Sequence, residues 1–404
     1  MLCAVTCALA PAYTLRWHLG PLPTTVLEDA ILVTLVAFAA ETVRTRQPVA
    51  WRNPFLVPGL LFLLAGVIAV LTAPNRVAAL GLFRAYLLEP MAFGLVLFNV
   101  LRGPRRALWV LAGLYAGATV AGLANSAVVL AAIARGAYQV TQTPPVVIYQ
   151  TANAVALYVV PLAAVAGSLA LHGRGLERGL GAAFFAVAAV VTLLSFSRGG
   201  YLAFAAVVVG LALSHRRRLP LLGAAAAAAL LLFLLPPIRQ RLLIETQNVY
   251  GNTVVSRLEL WTATLNLLRQ RPLQGAGLAG FEDRVAPFFH HLHTSASFVD
   301  PHNIVLNFWV ETGLLGLLAM AWILFLGFRL SWRGWRHATE DWRPYQLGVL
   351  LALVALLVHG LVDVPYFKND LSLEFWTLLA VSAAAAAPAA TRTPPRPAPQ
   401  PTAS

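Results

Sequence analysis

A histidine and two arginines are the residues of this sequence whose types suit group transfer from a phosphate carrier. His302 lies directly before an apolar run, and neutral imidazole, with a pKa of about 6.5, is a good general base near neutral pH. Arg198 and Arg257 carry guanidinium groups, which stay charged and bind phosphate through two parallel hydrogen bonds. Together they predict a base that takes a proton from an attacking hydroxyl, and two cations that stabilise a diphosphate as it leaves.

Each of the three residues also has a purely structural interpretation. Arg198 stands between two apolar runs, where an arginine can extend its charged end to the membrane surface. Gly199 and Gly200 follow it, and glycine permits a ligand to approach the backbone closely. Arg257 can contact lipid headgroups, and His302 can be an ordinary histidine at a helix end. These alternatives stay open at the level of single residues.

The residues around His302 predict the start of a helix. Asp300 is expected to cap it and Pro301 to occupy its first position, so that His302 lies in the first turn. A polar stripe with a spacing of four follows on that helix: Asn303, Asn307 and Glu311. The stripe must face protein, and hydrogen bonding between helices is the simpler explanation for its last two members.

Three further residues are expected to support the site. Asp363, at the end of a later apolar run, either supports the site or caps a turn with Pro365. Gly275 and Gly277 predict a turn after the helix that contains Arg257.

Metal and nucleotide sites are not expected. His290, His291 and His293 suggest zinc, but no cysteine or carboxylate completes a ligand set. The sequence contains no P-loop and no nucleotide-binding domain, so neither ATP nor a dinucleotide cofactor is expected.

The composition predicts an all-α polytopic membrane protein. Hydrophobic residues make up 59% of the chain and charged residues 11%, against roughly 25% charged residues in a soluble domain. The formal charge of +13 comes almost wholly from arginines, which lie in short clusters between apolar runs. That placement indicates membrane topology and not nucleic-acid binding. Cys3 and Cys7 share one apolar run and imply no disulfide, and no signal peptide is expected.

Twelve apolar segments are candidate membrane spans, since a span needs about 20 residues. They lie near 2–15, 26–43, 54–73, 78–101, 106–134, 146–172, 178–196, 200–214, 219–236, 303–328, 344–362 and 371–388. Loops after even-numbered spans hold seventeen arginines, whereas the short loops after odd-numbered spans hold five basic residues. The positive-inside rule therefore predicts that both termini are cytoplasmic and that residues 237–302 lie outside.

This organisation divides the chain into four parts. Residues 1–236 hold spans one to nine, 237–302 form one large extracytoplasmic loop, and 303–388 hold the last three spans. Residues 389–404 form a cytoplasmic tail. The chain is rich in Ala, Pro and Thr from Ala383 onward, so this tail is expected to be disordered. The loop contains one amphipathic helix that is expected to lie at the membrane interface. Its predicted apolar face consists of Val254, Leu258, Trp261, Leu265 and Leu268.

Several ordered motifs in this sequence resemble the O-antigen ligase and O-antigen polymerase family. They are Ser195-Phe196-Ser197-Arg198-Gly199-Gly200, Arg257 before Trp261, Pro272-x-x-Gly275-x-Gly277, His302-Asn303-x-x-Leu306 and Glu311-x-Gly313-Leu314-Leu315-Gly316. The resemblance covers roughly 146–380 and is densest at 192–316. It includes the twelve-span layout with a large outer loop, a GT-C-like architecture.

The resemblance implies a metal-independent, inverting glycosyltransferase of the bacterial inner membrane, active at its periplasmic or outer face in lipopolysaccharide or other polysaccharide biosynthesis. The donor would be a glycan on a polyprenyl (undecaprenyl) diphosphate and the acceptor a hydroxyl of the lipid A core or another surface molecule. The family's functional set corresponds to Arg198, Arg257 and His302, with the histidine proposed as base. A polymerase on the same carrier is the near alternative. A small-anion transporter, such as one for bicarbonate, is the alternative from another class.

Overall fold

The computed structural model describes residues 1–20, 22–139, 143–247, 253–289 and 299–386. Among them are sixteen α-helices and one β-hairpin. The helices are α1 (Leu2–Ala8), α2 (Val26–Thr45), α3 (Leu56–Thr72), α4 (Arg76–Leu82), α5 (Glu89–Val100), α6 (Pro104–Ala134), α7 (Ala152–His172), α8 (Gly175–Leu194), α9 (Arg198–Ser214), α10 (Arg218–Leu234), α11 (Pro236–Gln247), α12 (Thr253–Gln270), α13 (Phe281–Val285), α14 (Ile304–His337), α15 (Arg343–Gly360) and α16 (Asn369–Ala386).

Helical structure lies in each of the twelve segments that the sequence marks as apolar. Six helices among the described residues are long and apolar enough to cross a membrane: Arg76–Val100, which joins α4 and α5, and then α6, α7, α8, α14 and α15. The bent pair of α10 and the first part of α11, at 87°, would make a seventh. The chain is therefore a polytopic membrane protein, and the number of twelve spans stays a prediction.

The first predicted span is the least regular of the twelve. α1 has only two turns and is followed by a 3₁₀ segment, Ala10–Thr14, that contains Pro11. Strands β1 (Arg16–Leu19) and β2 (Leu22–Thr25) then form an antiparallel hairpin in which Arg16 pairs with Thr25. The sequence analysis missed this hairpin, because a two-stranded unit of this size has no distinctive pattern of apolar residues.

The core of the protein is organised around α7. This helix is apolar on all sides, which is typical of a buried helix, and it packs against α8, α9 and α15. By contrast, α10 has no buried residue and lies at the periphery. The ends of α7, α9 and α15 therefore meet in the interior, and this meeting point positions the candidate site.

α14 is broken near its beginning at Gly313, whose φ of +70° and ψ of −178° are not helical. The N–H of Leu314 donates to the carbonyl of Leu273 at 3.1 Å across the break. A Cβ on Gly313 would lie 2.4 Å from that same carbonyl oxygen, so only glycine fits there. The segment after α12 is thus inserted into the break of α14.

The last helix corresponds to the last predicted span, near 371–388. α16 continues through Ala386, beyond the start of the Ala-rich run at Ala383, because alanine has the highest helix propensity. The predicted tail, 389–404, lies outside the described residues.

Candidate active site

His302 lies just before α14 and not in its first turn, which corrects the sequence-based placement. The N-cap is Asn303, whose Oδ1 accepts hydrogen bonds from the N–H groups of Val305 and Leu306 at 3.1 Å each. Asp300 instead accepts the N–H of His302 at 2.8 Å. The prediction that Asp300 caps α14 is wrong. His302 has a φ of +49°, so the chain bends between Asp300 and the start of the helix.

Backbone strain is concentrated in this region. Only four non-glycine residues among those described have a positive φ, and three of them lie here: Phe196, Ala279 and His302. Such conformations cost about 1–2 kcal/mol each for residues with a Cβ, and they cluster at functional sites. The surrounding contacts hold His302 in a conformation that it would not adopt by local preference.

Two carboxylates face Nδ1 of His302. That nitrogen lies 3.2 Å from Oδ1 of Asp300 and 3.6 Å from Oδ1 of Asp363. Burial lowers the pKa of the imidazole, but the contact with Asp363 and the charge of Asp300 outweigh burial, so the pKa lies above its ordinary value. Because the carboxylates favour a proton on Nδ1, the other ring nitrogen, Nε2, is left as the proton acceptor of the neutral ring.

Asp363 is fixed by partners on both of its oxygens. Nδ2 of Asn153, in the first turn of α7, donates to Oδ2 at 2.8 Å, and the N–H of Val364 donates to Oδ1 at 2.9 Å. Burial raises the pKa of the Asp363 carboxyl, yet the contact with His302 overrides it and holds that pKa well below its ordinary range. Asp363 therefore stays ionised.

Asp300 behaves differently from Asp363. Burial raises the pKa of its carboxyl, and the charge of His302 offsets this effect only in part. Its main structural role is the hydrogen bond from the N–H of His302, which supports the left-handed conformation of that residue.

α12 brings Arg257 to the histidine. The indole N–H of Trp261 donates to the carbonyl of Pro301 at 3.0 Å, directly before His302. Arg257 is one turn earlier on the same face of the helix, and its charge lowers the pKa of His302. The structure thus brings together two of the three residues that the sequence singled out.

Arg198 is positioned by a turn built from serines. Oγ of Ser197 accepts the N–H of Gly200 at 3.1 Å and caps α9, while Oγ of Ser195 accepts the N–H of Ser197 at 3.2 Å. Arg198 is therefore the first residue of α9 and is half-buried. Nε of Arg241, in α11, donates to the carbonyl of Phe196 at 3.1 Å and so connects α11 to this turn.

His359 connects α9 to the histidine site, and the sequence analysis missed it. A Cβ on Gly199 would lie 2.7 Å from Cδ2 and 2.9 Å from Nε2 of His359, so the start of α9 packs directly on this ring. The charges of Asp363 and Arg257 act on His359, which places it near both. A buried histidine in the apolar run of α15, four residues before Asp363, was the available signal.

The remaining predicted supporting residues hold the frame of the site. The N–H of Ala279 donates to Oε2 of Glu311 at 2.9 Å, and the N–H of Ala276 donates to the carbonyl of Val310 at 2.7 Å. Gly275 and Gly277 have φ values of +63° and +79°. These contacts bind the turn after α12 to the first part of α14, which agrees with a structural interpretation of Glu311.

Asn303 and Asn307 have separate environments, although both belong to the predicted stripe. Nδ2 of Asn303 donates to the carbonyl of Leu361 at 3.1 Å and so joins the start of α14 to the end of α15. Asn307 is buried.

The face of α12 that packs on protein is not the apolar face that the sequence predicts at the membrane interface. α12 buries Leu260, Ala263, Leu267 and Leu268 in a cluster with residues of α13 and α14, whereas Val254, Leu258 and Leu265 are exposed. Of the predicted apolar face, only Leu268 belongs to this cluster. The helix is apolar on two sides, so periodicity alone could not decide which side packs on protein.

No group of three potential metal ligands occurs in the part of the chain that the structure describes. His290, His291 and His293 lie outside that part.

Comparison with known proteins identifies the segment that carries the site. The sequence profile of the O-antigen ligase family matches residues 183–321, from within α8 to within α14. This segment contains Arg198, Arg257 and His302, while Asp363 and His359 follow it. A search of the curated proteins finds no match. The family resemblance inferred from the motifs is confirmed.

Proposed function

We propose that this membrane protein of the O-antigen ligase family transfers a preassembled glycan from a polyprenyl diphosphate carrier to a hydroxyl of the lipid A core or of another surface acceptor. The observation that carries the proposal is the placement of Nδ1 of His302 against Asp300 and Asp363, with the charge of Arg257 acting on the same ring. A base oriented by carboxylates next to a phosphate-binding cation suits this reaction.

In the proposed reaction, the acceptor oxygen attacks the anomeric carbon of the first sugar while the bond from that carbon to the diphosphate oxygen breaks. Nε2 of His302 takes the proton of the attacking hydroxyl, and the ring becomes a cation. Asp363 stabilises that cation, in the way that a buried carboxylate supports a catalytic histidine in hydrolases. Direct displacement inverts the anomeric centre.

The diphosphate leaves with a growing negative charge, which Arg257 and Arg198 are proposed to stabilise. Bidentate hydrogen bonds from guanidinium to phosphate are stronger than neutral ones, and they act most strongly when charge develops in the transition state. Arg198 would act from the start of α9, where the next residue, Gly199, packs on the ring of His359. Nothing in this sequence of steps requires a metal ion.

The proposed orientation follows from the arginine distribution. Both termini would be cytoplasmic, and His302, with the segments from α11 to α13, would lie at the outer face of the bacterial inner membrane. A carrier-linked glycan would be available on that side, with its lipid part in the bilayer and its diphosphate at the level of the two arginines.

The first test is the glycan profile of a deletion strain complemented with the wild type or with His302→Ala. Full-length glycan that accumulates on the carrier in the deletion and the variant would establish a ligase. Single unextended repeats would establish a polymerase. We expect the variant to lose roughly 10²- to 10⁴-fold in transfer, the usual contribution of a general base.

The matched control is His337→Ala, which removes an exposed histidine from the other end of α14. It should restore the wild-type profile. Unchanged glycan in the deletion strain would contradict the proposal and favour anion transport, a class in which broken helices such as α14 are typical.

A further inference from the structure

We infer that Glu374, together with Asp370, binds one small monovalent cation, a proton or a sodium ion, in the interior of the protein beneath the start of α16. Nothing in the proposed transfer reaction uses these two residues. The inference therefore stands independently of the proposed function.

The two carboxylates lie on one face of α16, one turn apart, and Thr377 continues that face after a further turn. Asp370 is fully buried, Glu374 is 3% exposed and Thr377 is fully buried. An ionised carboxylate in such surroundings is very costly unless a cation or several hydrogen-bond donors compensate it.

Several oxygens of this cluster are not satisfied by hydrogen bonds, although Oδ1 of Asp370 accepts the N–H of Leu371 at 3.0 Å. Oδ2 of Asp370, Oε1 of Glu374 and Oγ1 of Thr377 are buried without a hydrogen-bond partner among the described residues. The hydroxyl of Tyr149, which is 3% exposed, points to Asp370 and is likewise without a partner of good geometry. A bound cation, or a shared proton, would satisfy the carboxylate oxygens that the neighbouring hydroxyl groups leave unpaired.

The charges that act on the two carboxyl groups favour Glu374 as the place of the proposed cation. The charge of Lys368 acts on Asp370 and compensates it in part. On Glu374, in contrast, the charge that acts is that of Asp370, which has the same sign. No cation is among the groups that act on Glu374 in the described part of the chain, so its carboxyl either holds a proton or needs a bound cation to be ionised.

Titratable groups surround the pair from every neighbouring element. They are Cys7 from α1, Tyr13 from the 3₁₀ segment, Tyr86 from a π-helical segment before α5 (Phe83–Leu88), Tyr149 from the segment before α7, Tyr158 from α7, and Lys368. Arg16 acts on Tyr13 and Tyr86, at the rim of the cluster. The tyrosines and the cysteine are neutral hydroxyl and thiol groups, so they can donate or accept hydrogen bonds but supply no positive charge.

The test measures thermal unfolding of the purified full-length protein in lipid nanodiscs, for the wild type and Glu374→Gln. The glutamine is isosteric and neutral, so it removes the need for the cation without removing volume. In the proton case, the Tm of the wild type falls as pH rises from mildly acidic to alkaline, and the Tm of the variant does not follow it. In the sodium case, replacing choline by sodium at fixed ionic strength raises the Tm of the wild type alone.

Two further measurements keep the test decisive. Glu340→Gln removes an exposed carboxylate that pairs with Arg174, and it should retain the wild-type dependence on pH and sodium. If Glu374→Gln does not fold, the wild type still reports the site through sodium-dependent Tm or through the infrared carbonyl band of a protonated carboxyl. Asp370→Asn then serves as the second variant. A wild type without a sodium response and without a protonated carboxyl, or with a pH response unchanged in the variants, would overturn the inference.

Discussion

Nδ1 of His302 lies 3.6 Å from Oδ1 of Asp363, although the whole of α14 and α15 separates the two residues in the chain. Asn153 of α7 holds the other oxygen of the carboxylate. The pair therefore depends on the packing of three helices, and it gives the histidine both an orientation and a raised pKa.

Asp363→Asn should lower the rate of transfer and move its pH dependence. The proposed reaction needs neutral imidazole, so the rate should rise as pH increases through the pKa of His302. In the wild type that pKa is raised, and removing the charge of Asp363 removes one cause of the rise. The half-maximal rate should therefore occur at a lower pH in the variant, with a smaller maximum. The pH profile of transfer in membrane vesicles measures both quantities.

Asp341→Asn is the control for this experiment, since Asp341 is exposed in the connection between α14 and α15. This variant should have the same pH profile of transfer as the wild type. A profile of Asp363→Asn that coincides with that of the wild type would mean that Asp363 does not act on the catalytic base.

Arg257→Lys and Arg198→Lys should each reduce transfer although the positive charge is kept. Lysine is a point charge and cannot form the two parallel hydrogen bonds of a guanidinium with phosphate. Loss of one hydrogen bond to a charged group corresponds to about 1.5–3 kcal/mol, or roughly ten- to a hundredfold in rate. Transfer per inserted molecule is the measurement, and Arg269→Lys, an exposed arginine on the same helix as Arg257, is the control. Full activity with lysine at 198 would identify Arg198 as a membrane anchor.

Gly199→Ala should impair the site through His359. The added Cβ would lie 2.7 Å from the ring of a histidine that is only 2% exposed, so the buried ring or the start of α9 would have to move. Such overpacking costs about 1–3 kcal/mol and would displace the start of α9, where Arg198 lies. Transfer should fall more than the amount of inserted protein does.

Gly179→Ala is the matched control for this substitution. Gly179 is in α8, and an added Cβ there would contact nothing within 4 Å. Alanine should be neutral or stabilising by up to about 1 kcal/mol, because it has the higher helix propensity. Equal effects of the two variants on transfer would show that the contact with His359 is unimportant.

Gly275→Ala should reduce the amount of folded protein as well as the rate of transfer. Its φ is +63°, and an added Cβ would lie 2.4 Å from the carbonyl oxygen of Val310, in the first part of α14. Gly136→Ala separates the two effects, because Gly136 has a φ of +67° and nothing within 4 Å. The control should lose only about 1–2 kcal/mol of stability, the cost of a left-handed conformation for a residue with a Cβ. Tm values of the purified variants give the comparison, and an equal loss at both positions would argue against the backbone contact.

The sequence by itself determined the class of the protein and suggested the chemistry of its candidate residues. Apolar runs are local features, so most of the helices could be placed within a few residues, as for α6 at Pro104–Ala134 against a predicted segment near 106–134. The types of Arg198, Arg257 and His302 were enough to suggest phosphate binding and base catalysis. The family profile over 183–321 agrees with that choice of segment.

Only the tertiary structure decided how those residues are supported. The carboxylate of Asp363, the amide of Asn153 and the ring of His359 come from helices far apart in sequence, and no local pattern signals such pairings. The same holds for the break of α14 at Gly313, where the carbonyl of Leu273 occupies the space that a side chain would need. Long-range packing sets these contacts because each requires two chain segments to be already in place, whereas helix formation depends on neighbours within a few turns.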